Sequence, residues 1–186
     1  MAEYYLISQL PSLDGLAENA PLPITEEYFL ELCSSSLGKK MLREIESISL
    51  LPPPVTLEKS FSTLLESWNN GERNLRIALA KVRAEKMNKP YNLDDKNLSS
   101  ELIKIANSAT DINNPLEAEN FLLAYRLAFL ETLRPTDTFS DDYLFYYGLK
   151  LKLILRMKQF DEKLGESTYK NIYNSILNGE RLEAVQ

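Results

Sequence analysis

Apolar positions recur at three- and four-residue intervals along most of the chain, and turn-forming residues divide them into short helical blocks. Thr25 is placed to cap a helix whose first turn carries Glu26 and Glu27 and whose apolar side runs through Tyr28, Phe29 and Leu32 to about Cys33. Leu37, Met41, Leu42, Ile45 and Ile48 continue the spacing and predict a second helix over 38–47. Phe61, Leu64, Leu65 and Trp68 predict a third, which Asn69, Asn70 and Gly71 bring to an end; a fourth runs from about Glu72 to Met87. The clearest start signal lies at Asn114, Pro115 and Glu117. It supplies a cap, a first helical residue whose missing N–H costs nothing and an acid at the third position, predicting a helix over 115–134. Ser140 is placed to cap the next helix, with Asp141 and Asp142 in its first turn and Phe139 set to staple against Leu144. Tyr169, Ile172, Tyr173, Ile176 and Leu177 follow i, i+3, i+4, i+7 and i+8 in a last helix bounded by Gly165 and by Asn178 and Gly179.

Two stretches fit more than one pattern. The alternation of Leu149, Leu151 and Leu153 with lysines resembles a half-buried strand. It follows a capped helix start, however, and at 100° per residue its apolar residues resolve into two stripes: Leu144, Tyr147, Leu151, Ile154 and Leu155, and Tyr146, Leu149, Leu153, Met157 and Phe160. A helix apolar on two faces sits centrally, with Lys150, Lys152 and Arg156 expected to leave at the seams. The run from Tyr4 to Leu10 is short enough for strand or helix, and we assign helix. The fold class expected is all-α: one domain over 1–186, a multi-helix bundle of about seven to nine helices around the 141–160 helix. Residues 1–50 form an N-terminal helical part, Pro52, Pro53 and Pro54 a stiff connection over 51–54, and 55–186 the helical core.

Charge divides the same regions differently. The chain carries 27 acids and 21 bases for a net charge of −6. Glu3, Asp14, Glu18, Glu26, Glu27 and Glu31 stand in the first 38 residues without a single Lys or Arg, and the remaining 21 acids and 21 bases cancel. This acidic N-terminal part reads either as a solvated, cap-rich terminus or as a face, built on Glu18, Glu26, Glu27 and Glu31, that steers a basic partner. A pI near 4.9 argues against binding nucleic acid, which needs a basic stripe. No apolar run reaches the roughly 18 residues of a spanning helix, and the opening residues, with no basic stretch before an apolar one, give no expectation of a secretory leader. A soluble cytoplasmic protein is the expectation.

Composition also narrows the chemistry. There is no histidine, which removes every Ser-His-Asp and Cys-His nucleophile system and all imidazole metal ligands. Six scattered glycines build neither a Walker loop nor a dinucleotide fingerprint. Carboxylate metal sites fare no better: an EF-hand starting at Asp111 would need a glutamate where Leu122 stands, and the pairs Asp94 with Asp95 and Asp141 with Asp142 suit helix and turn capping. Cys33, on an apolar stripe with Phe29 and Leu32, reads as a small buried hydrophobe. No catalytic residue, metal or cofactor is assigned.

Charges set inside apolar stripes are more informative. Glu119 and Arg126 interrupt the Leu123, Leu130, Leu133 side of one predicted helix, and Arg76 and Arg83 flank the Leu75, Leu79, Val82 stripe of another. With Arg156 they form a candidate ion-pair network that fixes helix register; the other reading is an exposed boundary row of snorkelling arginines.

Several of these segments together resemble a known family. Residues 4–13 (YYLISQLPSL), 23–33 (PITEEYFLELC), Trp68 with 74–84 (NLRIALAKVRA), 115–119 (PLEAE) and 139–144 (FSDDYL) with Tyr147 and 150–156 (KLKLILR) are similar to a family of uncharacterised bacterial proteins encoded among the subunits of V/A-type ATPases. The leucine and arginine pattern over 74–83 resembles, more distantly, the family of helical C-type subunits of V/A-type ATPases (d-type in eukaryotes), which links the central stalk to the membrane ring; this chain is much shorter. The resemblance implies a shortened form of that C-type helical fold and a non-catalytic accessory or stalk-connecting subunit acting in ion transport. Its partners are other V/A-type ATPase subunits of the central stalk or membrane ring, which makes it peripheral to the inner membrane without spanning it. A stand-alone helical adaptor or assembly factor is the alternative. The family's motifs specify no catalytic residues.

Overall fold

The computed structural model describes residues 2–15, 21–54, 60, 62–91, 98–159 and 162–177. Eight helices and no strand occur among them: α1 (Ala2–Gln9), α2 (Glu26–Ser36), α3 (Lys39–Glu46), α4 (Thr63–Lys86), α5 (Ser100–Asp111), α6 (Pro115–Thr132), α7 (Asp141–Gln159) and α8 (Glu162–Leu177). The all-α class and the helix count agree with the sequence pattern. Phe61, Asp94, Asp95, Phe160, Asn178 and Gly179 lie outside the described residues.

Local signals set most helix starts. The Thr25 hydroxyl accepts from the Tyr28 N–H at 3.2 Å, and the Asn114 side chain accepts from the Leu116 N–H at 3.0 Å with Pro115 in the first turn. The start of α7 differs from expectation. Ser140 donates its hydroxyl back to the Asp137 carbonyl at 2.8 Å instead of capping, and Phe139 stacks on Tyr4 of α1 with ring centroids 3.9 Å apart instead of stapling Leu144. A residue distant in sequence offers the larger aromatic surface there.

The expected break at Asn69, Asn70 and Gly71 does not occur, and α4 runs unbroken through it. Gly71 serves close approach rather than a turn: a Cβ at this position would stand 2.3 Å from Cε1 of Phe129 on α6. Trp68, one turn away, is buried and stacks near the same ring at 6.1 Å. Helix α5 has no counterpart in the pattern read from the sequence. Ser99 caps it by accepting from the Leu102 N–H at 3.2 Å, and it packs on α4 through the buried Ala106 and Ala109. Alanines carry its inner face, so the apolar signal is weak although the fit against α4 is close.

Helix α7 is central, as its two stripes require. It packs against α2, α3, α4 and α6, and every residue from Leu144 to Leu151 is buried. Two apolar clusters result. The larger joins Leu6, Ile7, Leu13, Phe29, Cys33 and Ile45 from the first fifty residues to Trp68 and the α7 leucines; the smaller lies between α4, α5 and α6 around Leu75, Leu79, Val82, Ala106 and Leu122. The N-terminal part therefore shares its core with α7 instead of standing apart from it.

Candidate functional site

Among the described residues polar groups gather at several places, and three of them place lysines or arginines of α6 and α7 against acids. The first lies where the two apolar clusters meet along α4. Glu72 follows Trp68 of the larger cluster and precedes Leu75 of the smaller, and it is 2% exposed. Its Oε2 accepts from Arg126 Nε at 2.9 Å, and its Oε1 accepts from Arg126 Nη2 at 3.0 Å and from Arg76 Nε at 2.8 Å. The planar fork of Arg126 thus engages both carboxylate oxygens from α6, while Arg76 closes the third bond from the next turn of α4. Arg126 Nη1 reaches on to Glu119 at 3.9 Å, and Glu119 takes Arg156 of α7 at 2.8 Å.

Of the expected network, Arg76, Glu119, Arg126 and Arg156 are brought together, and Arg83 is not. Arg83 is exposed near the end of α4. Sequence reading missed the hub, Glu72. The signal was present, since Glu72 falls on the Trp68, Leu75, Leu79 stripe once α4 is continuous; the break expected before it separated Glu72 from Trp68.

The second place corrects the seam expected for Lys150, which is only 7% exposed. Its ammonium bonds Asp14, Glu131 at 2.6 Å and the Tyr146 hydroxyl at 3.1 Å, and that hydroxyl donates to Glu131 at 2.7 Å. Arg134 adds a 3.4 Å bond to Asp14. Burial alone would lower the Lys150 pKa, but the bonds from Asp14, Glu131 and Tyr146 outweigh it and hold it above the ordinary lysine range. The Lys150 bond holds Asp14 below its usual value against burial. For Glu131, burial pushes upward and the Lys150 and Tyr146 bonds win, leaving it low. Tyr146 is pushed up to about 12 by burial and by its bond to Glu131. Close by, the Tyr147 hydroxyl donates to the Pro11 carbonyl at 2.9 Å, so residues 11–14 are strapped to α7 by two side chains.

At the third place, Lys152 bonds Glu26 at the start of α2, and Arg156 lies beyond it. They line an open groove of about 500 Å³ with Thr25, Glu27, Ile48 and Leu155. The groove's cations are already matched, Lys152 by Glu26 and Arg156 by Glu119.

The acidic surface expected from Glu18, Glu26, Glu27 and Glu31 is accordingly redistributed. Glu26 turns toward α7, and Asp14 does the same one element earlier. Glu27, at the groove, and Glu31 remain exposed, and Glu18 lies outside the described residues. Part of the basic counterpart sought in a partner is supplied by α7 itself.

Asp142 accepts from the buried Ser62 hydroxyl at 2.6 Å; Ser62 also caps α4 and donates its own N–H to Ser60, whose hydroxyl donates to Glu44 of α3. These bonds tie the starts of α4 and α7 to α3. Cys33 is buried, and burial pushes its thiol up to about 12. Among the described residues no three acids or cysteines gather as a metal site, and no helix is long and apolar enough to cross a membrane. No protein-family model, no curated protein and no solved structure matches the chain.

Proposed function

We propose that the chain is a non-catalytic accessory or stalk-connecting subunit of a bacterial V/A-type rotary ATPase, working through protein–protein contact in ion-transport coupling. The observation that carries the mechanical part of this reading is the bracing of α7. Three of its cations each bind a different part of the chain: Lys150 the 14–15 turn and α6, Lys152 the start of α2, and Arg156 the first turns of α6. Paired charges between packed helices fix register and resist sliding more than they add net stability, which suits a body that transmits force. The choice of assembly rests on the sequence resemblance. Glu27, at the groove, and Glu31 are the exposed acids left to meet a basic face of the central stalk or membrane ring, and the protein is then cytoplasmic and peripheral to the inner membrane.

Purification of the native ATPase in gentle detergent tests this reading. A stoichiometric partner stays with the membrane ring, and its cross-links map to α2. Recovery only with partly assembled complexes points to an assembly factor, and absence from both removes the assembly from consideration.

A further inference from the structure

Helix α8 is amphipathic, yet its apolar side is uncovered. Tyr169, Ile172, Tyr173 and Ile176 share one face at i, i+3, i+4 and i+7, and they are 66%, 42%, 51% and 63% exposed. The two tyrosine rings stack on each other with centroids 6.1 Å apart, which pre-orders the face. Glu166 and Lys170, beside the stripe, pair with each other at 2.7 Å and leave this part of the helix without net charge.

We infer that this face binds the same face of a second copy of the chain, with the two α8 helices antiparallel. Three features select that occupant. Two bodies of net charge −6 repel, and a surface that is locally neutral, as this one is, opposes their contact least. An antiparallel pair centred between Ile172 and Tyr173 sets each tyrosine level with an isoleucine of the other copy, 169 with 176 and 172 with 173, so large and medium side chains interdigitate. Parallel pairing sets like against like. The body precedes α8 in the chain, so antiparallel pairing also puts the two acidic bodies at opposite ends of a helix pair about 24 Å long, well beyond a Debye length of about 8 Å, and opposes the helix dipoles. Two tyrosines and two isoleucines exposed to this degree can bury at most on the order of 400 Å² per copy, somewhat below the roughly 1,000 Å² total at which specific interfaces begin. The dimer is therefore weak and concentration-dependent. It requires no larger assembly and stands apart from the function proposed above.

Sedimentation velocity on the full chain from about 5 to 500 μM tests it, with a reversible monomer–dimer equilibrium expected inside that range. Ile172→Glu should stay monomeric throughout while circular dichroism reports unchanged helix content. A spin label on Glu166→Cys, with Cys33 buried and unreactive, should report a pair separation near 20 Å in the antiparallel dimer against about 10 Å in a parallel one. A chain monomeric at every concentration, an Ile172→Glu variant that dimerises like the parent, or the shorter separation overturns the proposal. So does a monomer that co-sediments with anionic phospholipid vesicles and loses that binding in Ile172→Glu, since the stripe would then belong to a lipid surface.

Discussion

Gly71 of α4 faces the ring of Phe129 on α6 at a distance no side chain could share, because a Cβ built there would meet Cε1 at 2.3 Å. The glycine that resembles a helix break in sequence is a point where two helices pack in close contact. Gly71→Ala gains about 1 kcal/mol of helix propensity but forces the ring away, and overpacking of this kind costs about 1–3 kcal/mol. We expect a net loss of stability in urea unfolding. Adding Phe129→Leu should restore part of it by clearing the space; a simple gain from Gly71→Ala would contradict the packing.

Glu72 and Glu119 belong to one network but differ in burial. Glu72→Gln leaves Arg126, 11% exposed, without its carboxylate fork, and breaking such a pair costs about 3–5 kcal/mol. Glu119→Gln releases Arg156, which is 44% exposed and can turn to water, for a loss of about 1 kcal/mol or less. Equilibrium unfolding of both variants should rank them in that order. Equal losses would move the hub from Glu72 to the whole chain of charges.

The Lys150 cluster carries a pH signature. Asp14 and Glu131 are held low, so their contribution to stability is complete above the ordinary carboxylate range near about pH 4 and is lost as the pH falls through their lower folded values. Lys150 is held high, so its contribution is complete below about pH 10 and is lost only as the pH rises beyond that. Between those limits the strap over residues 11–14 is at full strength. Asp14→Asn should melt below the parent at pH 7, and the gap should shrink as the pH falls through the lowered folded value of Asp14, where the parent's carboxylate becomes protonated too. A gap independent of pH would show that Asp14 acts through shape alone.

Cys33 should be inert in the folded protein. Its burial and raised thiol pKa leave almost no thiolate at about pH 8, so a thiol reagent is expected to react at the rate of unfolding and to become fast in denaturant. Rapid stoichiometric reaction of the native chain would place this side chain at a surface.

Residues near one another in sequence announced much of the fold. The caps at Thr25 and Asn114, the two stripes of α7 and the amphipathic face of α8 are periodic or short-range signals, because one turn of helix relates residues three and four apart whatever lies around it. The same logic misjudged Gly71, whose role depends on the ring of Phe129 in another helix, and passed over α5, where alanines gain their packing value only against α4.

The charged sites divide along the same line. Sequence alone placed Glu119 and Arg126 inside an apolar stripe and concentrated the net acidity in the first 38 residues. Only the tertiary structure decided that Glu72 is the acid Arg126 grips, that Asp14 and Glu26 meet Lys150 and Lys152 of α7, and that Glu27 and Glu31 are left exposed. The physical reason is that helical periodicity fixes which residues share a face, whereas desolvation and Coulomb pairing depend on which face comes to lie opposite, and that is set by the packing of helices far apart in the chain.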